Sequence, residues 1–113
     1  AENISKDIKI NLSGDFKKGN IVTLSVEFEN DVEGEVRIAL PNSLRISSDK
    51  YDYKKYYLMS NQIDYATFYK AKDCTTMDIP LIVSNDGNYK FENVVCNYNG
   101  IYHISNSVDF EVK

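Results

Sequence analysis

Tryptophan is missing from the 113 residues, histidine occurs once, and cysteine, proline and methionine occur twice each. A single histidine, His103, with Cys74 and Cys96 falls short of the four nitrogen or sulfur ligands of a structural zinc site, so no metal and no cofactor is expected. No apolar run approaches the roughly 20 residues that a membrane-spanning helix needs. A basic excess is missing as well. Thirteen Lys and Arg stand against 17 Asp and Glu, a net charge of −4. Such a chain has no electrostatic footprint for a phosphate backbone, and no nucleic-acid partner is expected. The best apolar helix formers are also scarce, with Leu and Ala together numbering 10, which argues against a helical core.

What fills their place is strand material. Ile and Val number 20, Tyr 9, Phe 5 and Asn 12. Branched and aromatic side chains fit a pleated, half-buried surface, and asparagine fits turns. Val22, Leu24, Val26 and Phe28 alternate with Thr23, Ser25, Glu27 and Glu29. Period two over eight residues predicts a strand with one face in the core. Val36, Ile38 and Leu40 return after a turn at 30–34, and Pro41 ends that strand. Ile8 to Leu12, Ile63 to Lys70 and Ile79 to Val83 read as further strands, with Pro80 suggesting an edge. Ala66 and Phe68 are placed on one side of the second of these, and Ile63, Tyr65, Thr67 and Tyr69 on the other. Tyr89 to Cys96 reads as one strand with a bulge near Glu92-Asn93. Asn99-Gly100 fits a two-residue type I′ hairpin turn, because both central positions need positive φ. That register sets Tyr98 opposite Ile101 and Cys96 opposite His103.

These elements predict an all-β fold, an immunoglobulin-like antiparallel β-sandwich of seven to nine short strands. Residues 1–113 read as a single domain. A strand pattern runs through Val108, Phe110 and Val112 to the end, as in one module of a longer exported protein.

Few residues suggest chemistry. Cys74 and Cys96 are read as a disulfide, the alternative being two buried, inert thiols. A bridge would imply an oxidising compartment. Cys96 facing His103 lacks an oxyanion donor set or an orienting group. Glu27, Glu29, Asp31, Glu33 and Glu35 form an alternating acidic run, read as a solvated strand face. A calcium site would need oxygen ligands at fixed offsets around Gly34, which are lacking. Asn3-Ile4-Ser5 and Asn11-Leu12-Ser13 match the glycosylation acceptor pattern. Lys9, Asn106 and Glu92 are the candidates for a spontaneous isopeptide crosslink. With no carboxylate pair or nucleophile–base set in view, the chain is not expected to be an enzyme.

One stretch suggests binding. Tyr51, Tyr53, Tyr56 and Tyr57 crowd a segment, 47–57, that reads as a long loop, together with Lys50, Lys54 and Lys55. Tyrosine is rigid, large and amphipathic, which suits recognition. The segment offers stacking for a sugar or a partner loop, the other reading being that one or two tyrosines fold back over the sandwich edge while the lysines are solvated. For the chain as a whole a protein partner is expected, with carbohydrate as the second reading.

Gly14 to Leu44 carries a resemblance. A turn ending Lys18-Gly19-Asn20 opens the strand Val22-Thr23-Leu24-Ser25-Val26, and Arg37-Ile38-Ala39-Leu40 runs into Pro41-Asn42-Ser43-Leu44. This resembles the immunoglobulin-like modules of bacterial surface and envelope proteins, including S-layer-type modules and alpha-2-macroglobulin-like C-terminal regions. Here Asn20 replaces their acidic residue. The resemblance implies a non-catalytic module, extracellular or at the cell surface, that works in spacing, display or protein–protein contact. The alternatives are a carbohydrate- or ligand-binding module and a secreted inhibitor or effector that engages a host protein.

Overall fold

A computed structural model describes residues 3–47, 53–58 and 63–113, and of 55–58 the backbone alone. The strands are β1 (Asn3–Ser13), β2 (Ile21–Phe28), β3 (Gly34–Leu40), β4 (Leu44–Ile46), β5 (Tyr53–Leu58), β6 (Ile63–Lys70), β7 (Thr76–Val83), β8 (Gly87–Phe91), β9 (Val95–Tyr98), β10 (Ile101–Ser105) and β11 (Val108–Val112). Among the described residues there is no helix, and so none long and apolar enough to cross a membrane.

The period-two reading holds where it is strongest. Val22, Leu24, Val26 and Phe28 are all buried, as are Val36, Ile38 and Leu40. Glu27 and Glu29 are exposed on the opposite side. A one-residue slip would bury those carboxylates without partners, which costs several kcal/mol by any scale. Ala66 and Phe68 join the same core from β6, and Met77, Ile79, Leu81 and Val83 join it from β7.

Nine strands form one sheet in the order β4-β7-β2-β1-β10-β9-β3-β6-β5, and β8 and β11 form a small second sheet. This replaces the expected two-sheet sandwich of seven to nine strands with eleven strands and a curled half-barrel. The cause lies in β1. Its first half pairs in parallel with β10, from Asn3 opposite Ile101 to Ser5 opposite His103. Its second half pairs antiparallel with β2, from Ile8 opposite Phe28 to Ser13 opposite Thr23. Between Ser5 and Ile8 the register with β10 shifts. An extra residue there bends the strand, and Asp7 and Ile8 are both buried although adjacent. One strand thus joins what would otherwise be separate sheets.

Three other expectations change. The segment before Leu58 is not all loop, because β5 pairs with β6 from Tyr53 opposite Phe68 to Leu58 opposite Ile63. The Tyr89-to-Cys96 strand is two strands in different sheets. At the crossing, Val94 N donates to Ser105 Oγ over 2.7 Å and Ser105 N donates to Val94 O over 3.0 Å. Pro80 sits on an interior strand, between β2 and β4. Its carbonyl accepts from Ser47 N, so its missing N–H faces the β4 side. There β4 ends at Ile46, opposite Leu81, so the proline falls one pair beyond the strand and forgoes only the return bond to Ser47. The Asn99-Gly100 turn forms as expected. Both residues have positive φ, 52° and 75°, and Cys96 lies opposite His103.

Candidate functional site

The tyrosine segment divides on inspection. Tyr51 lies outside the described residues, and of Tyr56 and Tyr57 only the backbone is described, opposite Tyr65 and Asp64. Tyr53 turns partly inward, its ring 5.4 Å from that of Phe68 at an interplanar angle of 32°. It helps to cover the core.

Among the described residues, exposed tyrosines stand on the outward side of the sheet. β3 sends Val36 and Ile38 inward, so Glu35 and Arg37 face out. β6 sends Ala66 and Phe68 inward, so Tyr65, Thr67 and Tyr69 face out. Asn97 of β9 and Tyr102 of β10 are opposite each other on the same side. Tyr69 is 61% exposed and Tyr102 41%. The Arg37 guanidinium lies 5.2 Å from the Tyr65 ring centroid, a cation–π contact. Tyr69 Oη donates to Glu33 Oε1 over 3.1 Å, and Glu33 pushes the phenol's pKa up, so the hydroxyl stays a donor. A cleft of about 460 Å³ lies between Glu35, Arg37, Thr67 and Tyr102, with smaller hollows on either side. Strand periodicity could place Tyr65 and Tyr69 outward. It gave no reason to rank them above the clustered tyrosines of 51–57.

Beneath the sheet, two polar clusters fasten the 29–33 loop. The β1 bulge directs Asp7 inward, where its Oδ2 lies 2.7 Å from His103 Nδ1 and accepts from Asn30 Nδ2. Burial alone raises the Asp7 pKa, but the hydrogen bonds from Asn30 and His103 outweigh it and hold the carboxyl below its ordinary value. Asp7 is therefore a carboxylate that only accepts, so His103 Nδ1 carries the proton. The second cluster centres on Lys70, the inward residue after Phe68. Its ammonium is fully buried, donates to Val32 O and Ala71 O over 2.6 and 3.1 Å, and lies 3.7 Å from Asp31 Oδ1. Asp73 N donates to Asp31, which lowers that carboxyl's pKa. Neither cluster was expected from sequence. A lysine at a strand end reads as the point where the strand meets solvent.

The expected disulfide is absent, and Cys74 and Cys96 are free thiols. Cys74 turns its Sγ toward its own loop, 3.2 Å from Thr76 O. Cys96 points into the core from β9. Burial pushes its thiol pKa up, Lys70 pulls it partly back, and Asp7 adds to the rise. A protonated, enclosed thiol is a poor nucleophile, although Cys96 lies opposite His103, which bonds Asp7. Among the described residues no three His, Cys, Asp or Glu side chains converge as metal ligands. The crosslink candidates are also otherwise engaged. Asn106 Oδ1 accepts from Ile10 N over 2.8 Å and its Nδ2 donates to Ile10 O over 3.2 Å, while Lys9 and Glu92 are exposed. Thiol titration without reductant should find two reactive groups in denaturant. In the native protein Cys74 should react first and Cys96 only as the fold opens. Two unreactive cysteines in denaturant would restore the bridge.

No protein-family model matches the chain, and no curated protein does. Solved structures do match. The human F-spondin reeler domain (fragment 1) superposes with a TM-score of 0.60 at 10% identity, covering 100% of this chain and 93% of that one. The Reelin-N domain of F-spondin gives 0.60 at 9% identity, with 100% and 90% covered. A second fragment of the human reeler domain gives 0.58 at 12% identity, with 100% and 92% covered. At such identities the likeness is one of fold. It corrects the resemblance to bacterial S-layer-type and alpha-2-macroglobulin-like modules, since the folded chain is similar to the reeler domain of F-spondin.

Proposed function

We infer that the chain is a non-catalytic, extracellular contact module that engages its partner through the outward face of β3, β6, β9 and β10. The observation that carries this reading is the set of exposed side chains there. Tyr69 and Tyr102 stand out from the sheet beside Arg37, and tyrosine and arginine are the residue types that dominate binding energy at interfaces. Strands paired on both sides hold them, so little order is lost on binding. The similarity of fold to the reeler domain of F-spondin supports an exported setting. The free thiols do not, because the bridge that suggested an oxidising compartment is gone. A non-catalytic role is supported by the enclosed state of Cys96.

The test is retention of labelled protein on the extracellular surface or matrix of its own source. Changing Tyr69 and Tyr102 together to Ala should reduce retention at least about tenfold, since each such side chain is worth more than about 1 kcal/mol at an interface. The melting temperature should stay the same, because both rings are exposed. Equal retention of the double variant and the unchanged protein would remove the face from the contact reading.

A further inference from the structure

Three hollows lie side by side on the outward face, and each is bordered by one outward tyrosine. Tyr69 borders the first, of about 310 Å³, Tyr102 the second, of about 460 Å³, and Tyr65 the third, of about 210 Å³. Neighbouring hollows share walls. Glu35 and Thr67 border the first two, and Arg37 borders the last two. The first two lie side by side across the strands, since Arg37 of β3 is opposite Thr67 of β6 on one side and Val95 of β9 on the other, and the third lies farther along β3 and β6, beside Ala39 and Tyr65.

The strands beneath decide what can lie there. β9, β3 and β6 each have a neighbour on both sides. An extended peptide crossing them finds few free backbone donors or acceptors, so strand addition is not available to it. A sugar chain needs no such groups. Its hydroxyls both donate and accept, and the face offers both kinds of partner. Arg37 only donates, Glu35 only accepts, and Thr67 and Asn97 do both. The C–H faces of a sugar ring pack against aromatic rings, whose π faces are negative. Charge narrows the class further. Arg37 and Lys54 line the hollows together with Glu35 and Glu92, so the face carries both signs and would repel a polyanion as much as attract it.

We propose that these hollows bind a neutral oligosaccharide, with sugar rings against Tyr69 and Tyr102. The inference rests on the outward face being the contact surface.

The probes are neutral hexasaccharides, namely β-1,4-glucan, α-1,4-glucan, mannan and N-acetylglucosamine oligomers, with a heparin hexasaccharide for comparison. Amide shifts of the intact chain are followed by NMR. At least one neutral hexamer should shift amides of β3, β6 and β9, and its dimer should bind at least about tenfold more weakly, because it spans fewer hollows. Tyr102→Ala and Tyr69→Ala should each weaken the hexamer about tenfold at an unchanged melting temperature. Ile21→Ala, which alters an exposed side chain on β2, should leave affinity unchanged. No shifts with any neutral hexamer at millimolar concentration would overturn the proposal, as would shifts with heparin alone. A protein cross-linked through position 102 in the retained fraction, with no glycan binding, would also overturn it. In that case the outward face would remain the contact surface, a separate question that the retention assay answers.

Discussion

Replacing Phe28 with Ala lowers the stability of this domain by about 3–5 kcal/mol, the cost of lost transfer energy plus the cavity left behind. Phe28 is 5% exposed at the end of β2. Its ring also lies under Lys70, with Nζ 5.0 Å from the centroid. Truncation therefore strips the aromatic face from a buried ammonium as well as opening a void. The matched control is the next residue. Glu29→Ala, on the solvent side, should change stability by less than about 0.5 kcal/mol. Domains of this size hold about 5–15 kcal/mol in total, so the first variant is close to the limit and the second is not. Urea melts of both at one temperature are sufficient. Comparable losses would mean that the two faces of β2 have been exchanged.

Asp7→Ala is the second large effect, about 1–3 kcal/mol, because it leaves the buried His103 Nδ1–H without its acceptor. The same carboxylate makes stability depend on acid. Its pKa in the folded chain lies below the ordinary value of 3.8. A carboxyl depressed on folding stabilises fully above its unfolded value, and that stabilisation is lost as pH falls through the folded value. The urea midpoint of the unchanged protein should therefore hold steady down to about pH 4 and drop below it. Asp7→Asn should be less stable at neutral pH, and its curve should converge on that of the unchanged protein in acid. Parallel curves down to pH 2 would show that Asp7 is not ionised in the cluster.

Legibility followed periodicity. β2 and β3 alternate without interruption, and their inward faces were readable residue by residue; β6 showed its two faces but not which of them turned inward. The β9–β10 hairpin was readable because Asn99-Gly100 leaves one economical turn, and the turn sets the register of every pair above it. What escaped notice broke the period. In β1 the bulge sets Asp7 and Ile8 both inward, which no alternating template allows. β5 carries Lys54-Lys55 between tyrosines and resembles a loop. β8 and β9 are joined by 92–94, where the chain changes sheets while staying apolar enough to read as one strand. The tyrosine segment is a different case: of its four rings only that of Tyr53 is described, and it covers the core. Tyrosine suits a core rim and a binding face equally, so clustering in sequence said little about which rings would reach solvent.

The strand shared between the two halves has a consequence in time. β1 is made first, yet half of its pairing waits for Ile101 to Ser105, almost the whole chain later. At about 5–20 residues per second a ribosome needs about 5–20 s to reach them. During that interval β1 can zip to β2, but the edge carrying Asn3 to Ser5 has nothing beside it. An unpaired edge is an invitation to any other strand. Closure comes late and from the far end: β10 lays itself along the first residues, and then Asn106 offers its side-chain amide to the backbone of Ile10, as a single-residue substitute for the strand that is not there. A nascent chain stalled before residue 101 would thus present an open half-barrel, ready to capture a neighbour on the same messenger.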